Sequence, residues 1–242
     1  MNLNFMNLKK NKKSGFTLLE LLIVIAIIAI LSVALVLVLN PAETLKKARD
    51  SQRISDLSTL KTAIGLYMTT VSPALLGGTA NAICKAAPAD SWVTTSGSKL
   101  SYSVLAAQLT QTTGIDTTLA IAPSFSATPT LTDGTGWIPV NFGLIPGGSP
   151  ISNLPLDPIN LIAQSARTVP TIPASTISAV SGAALVYRYG CAVTPLTFEI
   201  DAQLESDAYA LTDDKRASDG GNNANLYEVG TSLLILGTGT NL

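Results

Sequence analysis

The sequence predicts an α+β fold: a long N-terminal α-helical spine, one half transmembrane and one half amphipathic, packed on a small antiparallel β-sheet domain with long loops. Three observations carry this reading. Residues 21–39 are an uncharged apolar run in which Ser32 alone is polar. Residues 45–68 then set apolar side chains at three- and four-residue intervals, the period of a helix with one buried face. Past Val71 the chain becomes rich in Ser, Thr, Gly, Pro and Ala, and its alternating apolar segments read as strands.

Composition removes several functional classes. The 242 residues are 47% hydrophobic and only 13% charged, about half the charged share of an average soluble protein. Aromatics make up 5%, so the apolar surplus is aliphatic. The absence of histidine excludes His-based acid–base catalysis, Ser-His-Asp and Cys-His nucleophiles, and His-ligated metal sites. Two cysteines are too few for a zinc or iron–sulfur cluster. No phosphate-binding glycine loop occurs in context, and neither does Gly-x-Ser-x-Gly. The net charge of −1 conceals an asymmetry: Lys9, Lys10, Lys12 and Lys13 precede the first acid, Glu20, whereas acidic residues dominate from Ala86 onward. A nucleic-acid-binding domain shows the opposite sign, so no nucleic-acid partner is expected.

As a helix, the run over residues 21–39 is about 28 Å long, close to the thickness of a hydrocarbon core. It exceeds the apolar region of a secretory signal, and helical patterning continues beyond it. Glu20 stands at its lip, where a carboxylate is costly and marks a functional position. Before it, four lysines lead into Gly15-Phe16-Thr17-Leu18-Leu19-Glu20. This stretch resembles the class III signal of type IV prepilins and type II secretion pseudopilins.

The resemblance implies that a prepilin peptidase cuts between Gly15 and Phe16 on the cytoplasmic side and that the new amino terminus on Phe16 is N-methylated. It further implies that Glu20 pairs with the Phe16 amine of a neighbouring subunit, since a buried Glu needs a partner. Residues 1–15 are then a cleaved leader, 16–39 the transmembrane and filament-core half of the helix, 40–70 its amphipathic half, and 71–242 an extracytoplasmic β-rich domain. Basic residues flank the apolar run on both sides, so a cytoplasmic N-terminus follows from the cleavage signal and not from the charge count.

Asn40-Pro41-Ala42-Glu43 fits two arrangements. Asn40 can cap a restarted helix with Pro41 at its first position, or one long helix can kink at Pro41. The following amphipathic stretch needs something to cover its apolar stripe, and in the family it resembles a β-sheet does so.

In the C-terminal domain, residues 185–189 and 198–204 alternate and read as a hairpin closed by a loop around Thr194-Pro195. Residues 136–142 read as a weaker edge strand because of Pro139, and 227–230 with 233–236 as a final one. A short helix is expected near residues 102–109. Leu154-Pro155-Leu156-Asp157-Pro158 followed by Tyr187-Arg188-Tyr189 is similar to a pattern of major pseudopilins, but with residues 160–182 read as an inserted surface loop. Asp213, Asp214 and Asp219, beside Gly220 and Gly221, are a candidate calcium loop on the same resemblance. Their spacing is not that of an EF-hand, and such clusters also form plain turns. Cys84 and Cys191 both follow the apolar run, where oxidation is possible, and are expected to form a disulfide.

The function expected is that of a structural subunit of a type IV pilus-like filament, without enzymatic activity or cofactor. Its partners would be its own copies, the membrane, the prepilin peptidase, an inner-membrane assembly platform and a motor ATPase. A pseudopilin of a type II secretion system is the alternative within that class. A membrane-anchored extracytoplasmic enzyme is the alternative outside it.

Overall fold

The computed structural model describes residues 15–90, 92, 97–105, 122–165 and 184–237. The chain divides into an N-terminal unit ending at Thr44 and a larger unit beginning at Leu45.

In the first unit, helix α1 spans Leu18–Leu39. Asn40 ends it in a left-handed conformation (φ 38°, ψ 71°), which asparagine tolerates better than most residues. The Asn40 side chain then accepts the Glu43 N–H at 3.4 Å, and helix α2, Pro41–Thr70, begins at once. Of the two arrangements open in the sequence, the capped restart is the one observed.

In the second unit, five strands form one sheet: β1 (Lys99–Leu105), β2 (Ala122–Ser126), β5 (Tyr187–Ala192), β6 (Thr197–Ala202) and β7 (Tyr227–Gly230), in the order β2-β1-β5-β6-β7. Strands β1, β5, β6 and β7 pair antiparallel, and β2 joins the edge of β1 in parallel. Strands β3 (Leu161–Ser165) and β4 (Ala184–Leu185) form a separate ribbon.

Helix α2 packs on one face of the sheet. Leu57, Leu60, Ala63, Ile64 and Tyr67 follow the expected three-four spacing and are buried. They meet Phe198, Ile200 and Ala202 from alternate positions of β6 and Tyr187, Tyr189 and Cys191 from β5. The core aromatics keep their polar ends bonded: Tyr189 Oη donates to the Leu76 carbonyl at 2.7 Å and Trp137 Nε1 to that of Pro155 at 3.0 Å.

The expected disulfide is present. Cys84 and Cys191 have Cα atoms 4.6 Å apart, inside the range such a bond requires. Lys85 extends the link: its N–H donates to the Cys191 carbonyl at 2.8 Å, and its own carbonyl accepts from Val193 at 2.9 Å. The bond and these two hydrogen bonds fasten the segment after α2 to the turn end of β5.

Four readings need correction. Residues 102–105 lie in β1 and not in a helix, because Ser101 and Tyr102 pair with Tyr189 and Arg188 of β5; residues 106–109 are outside the described set. Residues 136–142 are not a strand. They run irregularly through the core, burying Trp137, Ile138, Val140 and Phe142, and touch the sheet-like pattern only through an isolated bridge between Asp133 and Asn141. Residues 233–236 form no strand; Ile235 and Leu236 are buried by packing while Leu234 is exposed. The stretch 160–182 is not loop throughout, since β3 occupies Leu161–Ser165; residues 166–182 lie outside the described set.

Candidate processing and assembly site

Gly15 precedes α1 in open space: a Cβ added there would meet nothing within 4 Å. Phe16 is 89% exposed. Thr17 has extended backbone (φ −79°, ψ 152°) and caps α1, its Oγ1 accepting the Glu20 N–H at 3.2 Å. Glu20 completes the reciprocal box, with Oε2 accepting from both the Thr17 N–H and its hydroxyl at 2.8 Å. Thr-x-x-Glu therefore has a local role: two of the helix's orphan N–H groups find acceptors. The carboxylate also sits where the helix dipole is positive.

The rest of α1 is apolar on every side. Residues Leu18–Leu35 have mean hydropathy 3.0 and none is buried. Ser32, its one polar residue, returns its hydroxyl to the Ile28 carbonyl at 2.7 Å, so no side-chain donor is left facing an apolar surrounding. A helix with no polar face is stable only in lipid or against other apolar helices. This is the behaviour required of a single membrane anchor. Lys9, Lys10, Lys12 and Lys13 lie outside the described residues.

The three aspartates considered for calcium are engaged separately. Asp213 pairs with Lys215 at 2.7 Å and Asp214 with Arg216 at 2.9 Å. Asp219 accepts the Gly221 and Glu228 N–H groups at 2.7 and 2.8 Å. Among the described residues no three His, Cys, Asp or Glu side chains converge as a metal site would need.

A buried charge cluster escaped the sequence reading. Arg53 of α2 binds Asp157, Asp50 and Glu205, and Arg49 binds Glu205 with two hydrogen bonds at 2.8 and 2.9 Å. Asp50 in turn accepts the N–H groups of Glu205 and Ser206. Burial alone would raise the Glu205 carboxyl, but the hydrogen bonds and charges of Arg49 and Arg53 outweigh it and hold it below its ordinary value. Next to this cluster Tyr187 Oη donates to Asp56 at 2.8 Å, and burial pushes the Tyr187 phenol well above its ordinary value. The only sequence signal was Asp157, quoted for its resemblance to a family pattern; nothing local joined it to Arg53.

Two searches, one of curated proteins and one of solved structures, give no match to the chain. Residues 10–36 match the family model described as the prokaryotic N-terminal methylation motif. That segment takes in Gly15, Phe16, the Thr17–Glu20 capping box and most of the apolar helix, so the chain carries at its N-terminus the prepilin signal of type IV pilins and pseudopilins.

Proposed function

We propose that this protein is a structural subunit of a type IV pilus-like filament, and that it has no catalytic activity or cofactor of its own. A prepilin peptidase cleaves between Gly15 and Phe16, removing the basic leader while leaving the apolar helix in the cytoplasmic membrane. The amine of Phe16 is N-methylated. Subunits then leave the membrane through an assembly platform driven by a motor ATPase, with α1 in the filament core and the β-domain outside. The N-terminus faces the cytoplasm before cleavage.

The observation that supports this reading best is the methylation motif at residues 10–36, joined to a helix that is apolar all round. In the membrane, lipid covers that helix; in a filament, neighbouring copies of it do. Glu20 is the exception at its lip. The Phe16 amine of an adjoining subunit supplies a cation for it, and pairing the two sets the axial register.

Glu20→Leu is the test. The change makes the anchor more apolar, so membrane insertion persists. What goes is the partner for the neighbouring amine, and filament yield falls at least tenfold by electron microscopy of sheared surface material. A wild-type yield would refute the assembly role of Glu20.

A pseudopilin of a type II secretion system is the second reading, supported by the Asp157-Pro158 and Tyr187-Arg188-Tyr189 segments. Deleting the gene separates the two. Loss of surface filaments supports the pilin, and accumulation of exported proteins in the periplasm supports the pseudopilin.

A further inference from the structure

The face of the sheet turned away from α2 is polar, yet it is buried. Strand β6 directs Phe198, Ile200 and Ala202 into the apolar core, so its alternation places Glu199 and Asp201 on the opposite face. Both are 0% exposed. Strand β7 adds Glu228, 1% exposed and in register with Asp201. Asp201 is paired with Arg188 of β5 at 2.9 Å. Among the described residues no cation forms an ion pair with Glu199 or Glu228.

One oxygen of each glutamate is well used. Glu199 Oε2 accepts the N–H groups of Ile235 and Leu236 at 2.7 and 2.9 Å. Glu228 Oε2 accepts the Asn223 N–H at 2.9 Å. The Oε1 atom of each is buried and receives no N–H or O–H from the described residues. Glu199 and Glu228 lie on the same face of neighbouring strands, Glu228 opposite Asp201 and Glu199 opposite Gly230, so that two buried carboxyl groups each present an oxygen without a donor on one face. Buried carboxylate oxygens without donors are costly, and a proton held between the two groups would satisfy both.

We propose that Glu199 and Glu228 share a single proton and act together as a pH-operated latch that holds the 235–236 segment on the outer face of the sheet.

Both carboxyl groups reach that segment. Glu199 holds it directly through two N–H groups. Glu228 holds it through Asn223, whose Nδ2 donates to the Gly237 carbonyl at 2.8 Å. The segment lies tight on β5: a Cβ at Gly190 would stand 2.8 Å from Leu236 Cδ2 and 3.1 Å from Ile235 Cγ2, so the bare backbone of Gly190 lets these side chains pack closely on the strand. When the shared proton leaves for solvent, two adjacent buried carboxylates remain. Their repulsion is relieved by opening the segment to water.

The charged surroundings do not remove the need for the proton. Asp201 from β6 and Asp219 from the loop before β7 add negative charge. Arg188 is committed to Asp201. Lys85 lies within electrostatic reach of Glu199 as well as Asp90, but it donates its ammonium to the Pro88 and Ile235 carbonyls at 2.8 and 3.1 Å and forms no ion pair with Glu199. Burial first, and Glu228 next, push the Glu199 carboxyl up to about 10, and burial also raises Glu228. The folded pair therefore keeps a proton that the open form releases at the ordinary carboxylate pKa. Closure is strongest at low pH and weakens as pH rises towards that upper value, by up to about tenfold per pH unit.

The test is amide hydrogen exchange of Ile235 and Leu236 in the full chain in detergent, between about pH 6 and about pH 9, corrected for intrinsic rates. Wild type is compared with Glu228→Gln, whose amide can donate to Glu199 Oε1 without a titrating proton. The opening constant is expected to rise up to about tenfold per pH unit in wild type and to rise less steeply in Glu228→Gln, where Glu199 keeps its burial but loses its carboxyl neighbour. Equal slopes in the two proteins, or a flat wild type, would overturn the latch. If Glu228→Gln does not fold, the infrared carbonyl stretch of a protonated carboxylic acid in wild type at about pH 8 decides. Its presence supports the shared proton and its absence refutes it.

Discussion

Arg53 and Asp157, 104 residues apart in the chain, close a two-point ion pair inside the protein: Nε donates to Oδ2 at 2.6 Å and Nη2 to Oδ1 at 2.9 Å, with neither side chain exposed. The planar fork of arginine suits a carboxylate in this way, and lysine could not replace it. The same guanidinium reaches Asp50 at 2.8 Å and Glu205 at 2.6 Å. One side chain of α2 is thereby tied to the segment before β3 and to the segment after β6.

Arg53→Met is expected to destabilise the folded protein by about 3–5 kcal/mol, because three carboxylates would be left buried beside one remaining arginine. Chemical denaturation of the detergent-solubilised protein, followed by tryptophan fluorescence, measures it. A loss under about 1 kcal/mol would mean the cluster is not held by this guanidinium.

The same cluster sets an acid limit. The Glu205 carboxyl is held below its ordinary value near 4.5, so its contribution is fully present above that value and is lost as pH falls through the lowered one. Wild type should lose stability below about pH 4.5, and Glu205→Gln should show a shallower decline over the same range. Parallel acid-unfolding curves for the two proteins would remove Glu205 from the account.

Gly15→Val should block processing. A branched side chain beside the scissile bond hinders its approach to a peptidase, although the open surroundings of Gly15 leave the protein's own fold untouched. The variant should remain in the membrane at precursor mass. Mass spectrometry of the wild-type protein should find Phe16 as the first residue; any other start would refute the assigned cleavage point.

Replacing Cys84 and Cys191 together by alanine removes a bond that closes a loop with a sequence separation of 107 residues. Chain-entropy arguments give about 4–5 kcal/mol for a loop of this size, and losses of about 2–5 kcal/mol are typical. The double variant should melt measurably lower than wild type, and reduction of wild type should lower it to the same extent. Free thiols in unreduced native protein, detected by alkylation, would contradict the bond.

How far the sequence could be read depends on the distance over which each feature is decided. The N-terminal segment was legible because its determinants are neighbours: basic leader, Gly15, Phe16, Glu20 and apolar run follow one another, and the Thr17–Glu20 box spans a single turn. Helix α2 and the β5–β6 hairpin were legible for the same reason, through periods of 3.6 and 2. Residues 102–105 were misread because their strand character comes from pairing with β5. Residues 136–142 look strand-like by composition, but Trp137 and Phe142 are used to fill a core and not to extend a ladder.

By itself the sequence determined the anchor, the processing signal, the α+β class and the pairing of its only two cysteines, all of which rest on local pattern or simple counting. Only the tertiary structure decided which charges are buried together. Arg53, Asp157 and Glu205 are scattered through the chain, and Glu199 and Glu228 read as ordinary polar positions on alternating strands. Burial is a property of the assembled sheet, and it is burial that pushes these carboxyl groups, ordinary in water, above their usual range.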